Sequence, residues 1–215
     1  MDQNANTYQP SLLAEPPLQI WPDSAQDFQA GFAAHFGHPP IEPGGQAELV
    51  AGFLSGPLGG MVAVTDHDRL HLLEFAGRRA LRTEMRRLSA MVRGRIGIGR
   101  TAVTDLLERA LSDYFTGKSA DFTVPLAMHG TPFQRQVWQA LLDIPAGRVC
   151  SYGDIASRIG RPTATRAVAR ANGANQIAVL ILCHRVIGAD GSLTGYGGGL
   201  WRKQELLRIE ACYGG

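Results

Sequence analysis

An α+β fold, with strands in the first half and helices in the second, is what this 215-residue chain predicts. Three observations carry that expectation. Two apolar runs flanking a polar turn mark residues 61 to 75, helices with clear boundaries fill the chain from residue 121 onward, and a hydrophobic content of 45% suffices for two small cores.

Residues 1 to 45 read as a flexible or partly helical extension. They are rich in Pro, Gln, Ala and Gly, with Pro16-Pro17, Pro39-Pro40 and Gly44-Gly45 as punctuation. Within them Phe28, Phe32 and Phe36 recur every four residues and stop at Gly37, the pattern of a short docking helix.

Residues 46 to 120 form the expected N-terminal α/β domain. Met61 to Thr65 and Leu70 to Phe75 flank the polar turn Asp66-His67-Asp68-Arg69, a β-hairpin. Ala80, Leu81, Met85, Leu88 and Met91 make a helical apolar face with arginines opposite. Gly94 to Gly99 predicts a short strand and Val103 to Phe115 an amphipathic helix closed by Gly117. His67 and His71 fall in strand and turn positions that point at no common metal, so no metal site is assigned.

Residues 121 to 215 form the expected C-terminal domain, mainly helical. Thr131-Pro132-Phe133-Gln134 is a capping box with proline at the first helical position, and its helix runs to about Ile144. Ser151-Tyr152-Gly153-Asp154 opens a second helix that stops at Gly160. Arg161-Pro162 leads into a third, with Thr163 as cap and Ala164 to Ala171 as body. The latter two form a helix-turn-helix.

Between Asp154 and Asp190 there is no acidic residue, while Arg158, Arg161, Arg166, Arg170 and Arg185 fall inside that window. Such a stripe suits a phosphate backbone; a solvated arginine face is the alternative reading. The third helix carries little bulk: Ala164, Ala167, Ala169, Ala171 and Gly173 let backbone approach a partner closely, which suits a minor groove read with little sequence preference.

Cysteines at 150, 183 and 212 are odd in number, with no paired CxxC, and so point to neither a disulfide framework nor a zinc ribbon. A reducing, cytoplasmic setting is expected. No apolar stretch approaches the roughly 18 residues of a membrane span. Cys183 ends the apolar run Ile177 to Leu182 and touches His184 and Arg185, whose charge would favour the thiolate. Read as extended, the run turns Cys183 and His184 to opposite faces, so a proton passing between them needs a bend or a water. In the last helix Leu206, Leu207 and Glu210 share a face, which aims Glu210 at a core where a histidine would be a suitable partner.

Thr131 to Gln134 with Val137-Trp138, Ser151 to Asp154, Arg166-Ala167-Val168, Ala171-Asn172-Gly173, Cys183 to Gly188 and Gly195 to Leu200 together resemble the O6-alkylguanine-DNA alkyltransferases, including the C-terminal half of Ada-type proteins. The resemblance covers roughly residues 120 to 211. It implies an RNase H-like N-terminal domain, a winged-helix-like C-terminal domain, and single-turnover transfer of a methyl or alkyl group from guanine O6; whether O4-methylthymine is also repaired is left open by the sequence. By resemblance Cys183 is the acceptor, His184 takes its proton through a water, and Glu210 orients the imidazole. Tyr152 hydrogen-bonds the guanine and Asn175 braces the turn before the nucleophile. Arg166 replaces the flipped nucleotide in the duplex, beside a DNA-binding surface of Ala167, Ala169, Arg170, Ala171, Gly173 and Arg185. Val186, Tyr196 and Gly197 line the base pocket.

The same resemblance implies a monomer that meets double-stranded DNA in the minor groove, with no membrane, metal or cofactor. Leu182 departs from the family's pattern, which places proline before the nucleophile; Gln176 and Ala178 also stand where proline often occurs. Two alternatives follow: a non-catalytic lesion binder of the alkyltransferase-like kind, and a truncated Ada-type regulator whose Phe28 to Phe36 helix, similar to the tail of an AraC-type domain, is a remnant.

Overall fold

The computed structural model describes residues 24–41 and 45–213, with helices α1 (Ala25–Phe36), α2 (Leu81–Met91), α3 (Ala102–Phe115), α4 (Pro132–Leu142), α5 (Tyr152–Arg158), α6 (Thr165–Gly173) and α7 (Leu200–Glu210). Strands are β1 (Leu49–Leu54), β2 (Met61–Thr65), β3 (Leu70–Phe75), β4 (Ile96–Ile98), β5 (Cys150–Ser151) and β6 (Val186–Ile187). The described residues fall into two compact units. One holds the chain up to Asp113 with Asp121–Ala127, the other Tyr114–Ala120 with Met128 onward.

In the first unit a four-stranded sheet has the order β3-β2-β1-β4, antiparallel except for the parallel β1–β4 pair. The hairpin is where the two apolar runs about the polar turn predict it, whereas β1 has no counterpart among the elements expected from sequence. Its residues Leu49, Ala51 and Leu54 are buried, but the glycine at 52 interrupts the apolar signal. Leu49, Ala51, Val62, Val64, Leu72 and Ile96 share a core with Leu81, Met85 and Leu88 of α2 and with Phe28, Phe32 and Phe36 of α1.

Helix α1 therefore completes the core of the α/β unit. Ser24 caps it by accepting from Asp27 N–H, and Gly37, with φ 88°, ends it in the left-handed region. Residues 1–23 and 42–44 of the expected extension lie outside the described residues. Residues 121–127, expected to open the C-terminal domain, instead lie along β3: Leu70 N–H donates to Pro125 O and Ala127 N–H to Leu70 O. Buried Arg78 pairs with Glu74 and with Glu84, the latter at 3.1 Å.

In the second unit Thr131 caps α4 through the predicted reciprocal pair with Gln134, and Ser151 caps α5 in the same way with Asp154. Helix α5 ends in a Schellman turn: Gly160 adopts φ 72° and Arg161 N–H reaches back to Ala156 O at 2.8 Å. One cap is placed differently from expectation. Ala164 N–H closes a turn on Arg161 O at 2.8 Å, with Pro162 and Thr163 as its central pair, so Thr163 is spent in the turn and Ala164 is the cap of α6. Trp138 Nε1 donates to Ala171 O at 2.8 Å and ties α4 to α6. Cys150 and Ser151 pair in parallel with Val186 and Ile187, which anchors the start of α5 beside the segment that follows Cys183. Among the described residues no helix is long and apolar enough to cross a membrane.

Candidate active site

The segment that delivers Cys183 is built from tight turns. Val179 has φ 70°, and Leu180 N–H closes back on Ala178 O at 2.8 Å. This is a γ-turn of the rare positive-φ form, strained in a β-branched residue by about 1–3 kcal/mol. Leu182, at φ −77° and ψ 42°, centres the commoner inverse form, closed by Cys183 N–H on Ile181 O at 2.7 Å. Cys183–Arg185 then makes one turn of 3-10 helix. The expected extended geometry is thus replaced by a bend, because the chain must turn inside a core where Ile177 to Val186 are all buried.

Asn175 holds these turns together. Its Oδ1 accepts from Ile177 N–H at 2.9 Å, while Nδ2 reaches Ile181 O at 3.0 Å and Cys183 Sγ at 3.1 Å. Asn172, at the end of α6, adds a longer contact from Nδ2 to Cys183 O at 3.5 Å.

Behind the cysteine, His184 Nε2 lies 2.8 Å from Glu210 Oε1, and both side chains are fully buried. A carboxylate only accepts, so Nε2 carries the proton and Nδ1 presents a lone pair. Among the described residues Nδ1 has no hydrogen-bond partner. Burial lowers the His184 pKa against the opposing pull of Glu210, which keeps the ring neutral. Burial would by itself raise the Glu210 carboxyl, but His184 and Arg185 outweigh it and bring it to about 2.

Arg185 is the main departure from expectation. Its Nε and Nη2 clamp the two oxygens of Glu210 at 2.7 and 2.8 Å, Nη1 donates to Ile144 O, and the residue is 2% exposed. It serves the buried carboxylate and offers nothing to a DNA surface, because an ionised carboxylate at this depth requires a matching cation. Ala171 is also buried, under Trp138. The rest of the predicted surface does face outward: Arg166, Ala167, Arg170 and Gly173 are exposed and Ala169 is half-buried.

Tyr152, at the start of α5, contacts Thr194 O at 3.4 Å. Gly195, with φ 52°, leaves it room, since a Cβ there would sit 3.2 Å from the phenol oxygen. Tyr196 is half-buried and Gly197 exposed. Val186 is buried with its N–H on Cys183 O and its carbonyl on Lys203 Nζ. Lys203 also donates to Thr194 O at 2.7 Å and so joins the two stretches expected to line the base pocket. Burial brings its pKa down to about 8, with Cys183 opposing.

Lys203, Asn172 and Tyr114, which donates to Glu210 Oε1 at 2.7 Å, went unassigned in the sequence. For Lys203 a signal exists: it shares the stripe of Leu206, Leu207 and Glu210 at i, i+3, i+4 and i+7, so a lysine among buried positions was legible. Cys150 is half-buried and its thiol is pushed up to about 11 by burial, a packed side chain and no second nucleophile.

Comparison with known proteins finds relatives of this chain. The model of the 6-O-methylguanine DNA methyltransferase DNA-binding domain matches residues 132–212. A methylated-DNA--protein-cysteine methyltransferase of Salmonella typhimurium is 46% identical over 158 residues, 72% of this chain and 91% of that protein. One of Mycobacterium bovis is 57% identical over 100 residues; the match takes in 46% of this chain and spans only 61% of the relative's length. The crystal structure of Mycobacterium tuberculosis OGT in complex with DNA superposes with a TM-score of 0.65 at 38% identity, covering 76% of this chain and 92% of that one. The O6-methylguanine-DNA methyltransferase of Pyrococcus kodakaraensis does so with a TM-score of 0.55 at 25% identity, over 75% and 98%.

Proposed function

The chain belongs to the methylated-DNA--protein-cysteine methyltransferase family, and on that premise we propose that it repairs O6-alkylguanine in DNA by moving the alkyl group to Cys183 in one stoichiometric step. The observation that carries this reading is the arrangement around one thiol. Cys183 sits under an Asn175 donor, next to a neutral histidine whose free nitrogen is a base and whose other nitrogen is held by a buried carboxylate.

The thiol proton passes through a water to His184 Nδ1, and Glu210 stabilises the imidazolium that forms. Sulfur attacks the alkyl carbon, the carbon–O6 bond breaks, and its electron pair leaves with the guanine. Tyr152 hydrogen-bonds a ring nitrogen of the departing base and eases that charge. The product thioether is not undone by thiol exchange, so each molecule acts once.

The base reaches Cys183 only outside the helical stack. Arg166, exposed on α6, fills the space it leaves from the minor groove, while Ala167, Ala169, Arg170 and Gly173 let the helix lie close to the backbone. Val186, Tyr196 and Gly197 flank the extruded base. The α/β unit takes the RNase H-like form, the C-terminal domain the winged-helix form, and the protein acts as a cytoplasmic monomer. The lesion-binder alternative is not favoured, since the chain carries Cys183 and the His184–Glu210 pair beside it.

Incubation with a duplex carrying O6-methylguanine, followed by intact mass, tests the reading. A gain of one methyl per molecule, lost in Cys183→Ala, is expected. Wild-type protein that binds the lesion with its mass unchanged overturns the transfer.

A further inference from the structure

Three residues donate to the Glu210 carboxylate: His184 takes part in the proposed transfer, and Arg185 supplies the balancing cation. The third, Tyr114, ends α3 and lies in the same compact unit as Glu210. Its hydroxyl donates to Oε1 at 2.7 Å, the very oxygen that His184 Nε2 reaches at 2.8 Å. The tyrosine is fully buried. A buried phenol requires an acceptor, but a main-chain carbonyl would satisfy that need. Here the acceptor is the one carboxylate that orients the histidine. Burial, then the charge of Glu210, raises the phenol's pKa well above its ordinary value, so it remains a donor at every working pH.

We propose that Tyr114 is a positioning residue for alkyl transfer, holding Glu210 Oε1 against His184 Nε2 and drawing charge from that oxygen so that the imidazole stays neutral with Nδ1 free to accept the thiol proton. The proposal rests on the reading of His184 as the proton acceptor. Oε1 accepts from Tyr114, from Arg185 Nη2 and from His184 at once, so each donor limits what the others receive. Without the phenol the remaining charge concentrates on His184, which makes the imidazole more basic, and Oε1 loses one of its two anchors outside the histidine. The charged and titratable groups that face the pair are Arg185 beside Glu210, Lys203 on the His184 side and Tyr196 near Tyr114. None of these changes when Tyr114 is altered.

Tyr114→Phe keeps the ring and removes the one donor. The single-turnover rate of methyl gain from an O6-methylguanine duplex at neutral pH is expected to fall roughly tenfold, the size of one hydrogen bond to a charged group. Duplex affinity should stay at the wild-type value. The acid limb of the pH–rate profile should move to higher pH, and the His184 ring, followed by NMR in the DNA-free protein, should titrate at higher pH as well. In a Glu210→Gln background the same substitution should add little, because its effect passes through that carboxylate. A lower melting temperature with rate, acid limb and ring titration unchanged overturns the proposal. Should the wild-type protein gain no methyl, the functional reading fails by itself, while the ring titration still decides whether Tyr114 acts on His184.

Discussion

Asn175 Nδ2 lies 3.1 Å from Cys183 Sγ, eight residues further along the chain, and the same amide holds Ile181 O at 3.0 Å. One side chain thus fixes both the turn before Cys183 and the sulfur itself. Asn175→Ala should orphan Ile177 N–H in a buried place and cost about 1–3 kcal/mol. Calorimetry should show the melting temperature lowered, and intact-mass kinetics should show methyl transfer slowed, since both turns lose their anchor.

Arg185→Ala leaves the Glu210 carboxylate buried without its cation, a loss of about 3–5 kcal/mol. Denaturant unfolding should report that loss. Affinity for undamaged duplex, and its dependence on salt, should be unaltered in whatever fraction remains folded, because the guanidinium faces Glu210 and Ile144.

Arg166 and Arg170 invert that pattern. Both are exposed, so replacing either with alanine should change stability by no more than about 0.5 kcal/mol. Duplex affinity should fall, and for Arg170→Ala the slope of log affinity against log salt should drop by about 0.9. Arg166→Ala should slow repair of duplex far more than transfer from the free base; equal losses on both substrates would remove it from the role of filling the stack.

Leu182 sits at φ −77° with its N–H bonded to no acceptor among the described residues, the backbone of a proline held by a leucine. Leu182→Pro should therefore raise stability by about 0.4–1 kcal/mol through a less disordered unfolded state, with methyl transfer retained. A fall in melting temperature would show that the leucine side chain, which is buried, contributes more than the ring can replace.

Acid should act on the Glu210 cluster. With a folded pKa of about 2 against 4.5 unfolded, the ionised carboxyl contributes about 3 kcal/mol above pH 4.5, lost as pH falls towards 2. His184 adds in the same direction, since its lowered pKa makes protonation favour the unfolded chain below the ordinary histidine range. Lys203 acts at the other end. Its pKa is about 8 in the fold against 10.5 unfolded, so the unfolded state binds more protons in that window and this contribution to stability rises with pH across it. Unfolding curves from pH 2 to 10 check all three, and Lys203→Met should abolish the alkaline component.

The caps of α4 and α5 were legible because they are local: a Thr or Ser three residues before Gln134 or Asp154 specifies where a turn begins whatever lies around it. Cys183, His184 and the inward side of α7 were legible for a similar reason, since apolar periodicity marks what must be buried. Arg185 was not. Its position in an acid-free basic window reads as surface, and only the arrival of Glu210 from 25 residues away turns it inward. Tyr114 reaches the same carboxylate across 96 residues, a distance over which no spacing rule operates. The strained γ-turn at Val179 was equally hidden, because a valine never advertises positive φ. The boundaries of most helices and the burial of Cys183 at the end of an apolar run follow from the sequence alone, as properties of neighbours along the chain. Which cation serves the buried carboxylate, and which face outward, is decided by tertiary packing, because a charge finds its partner by proximity in space.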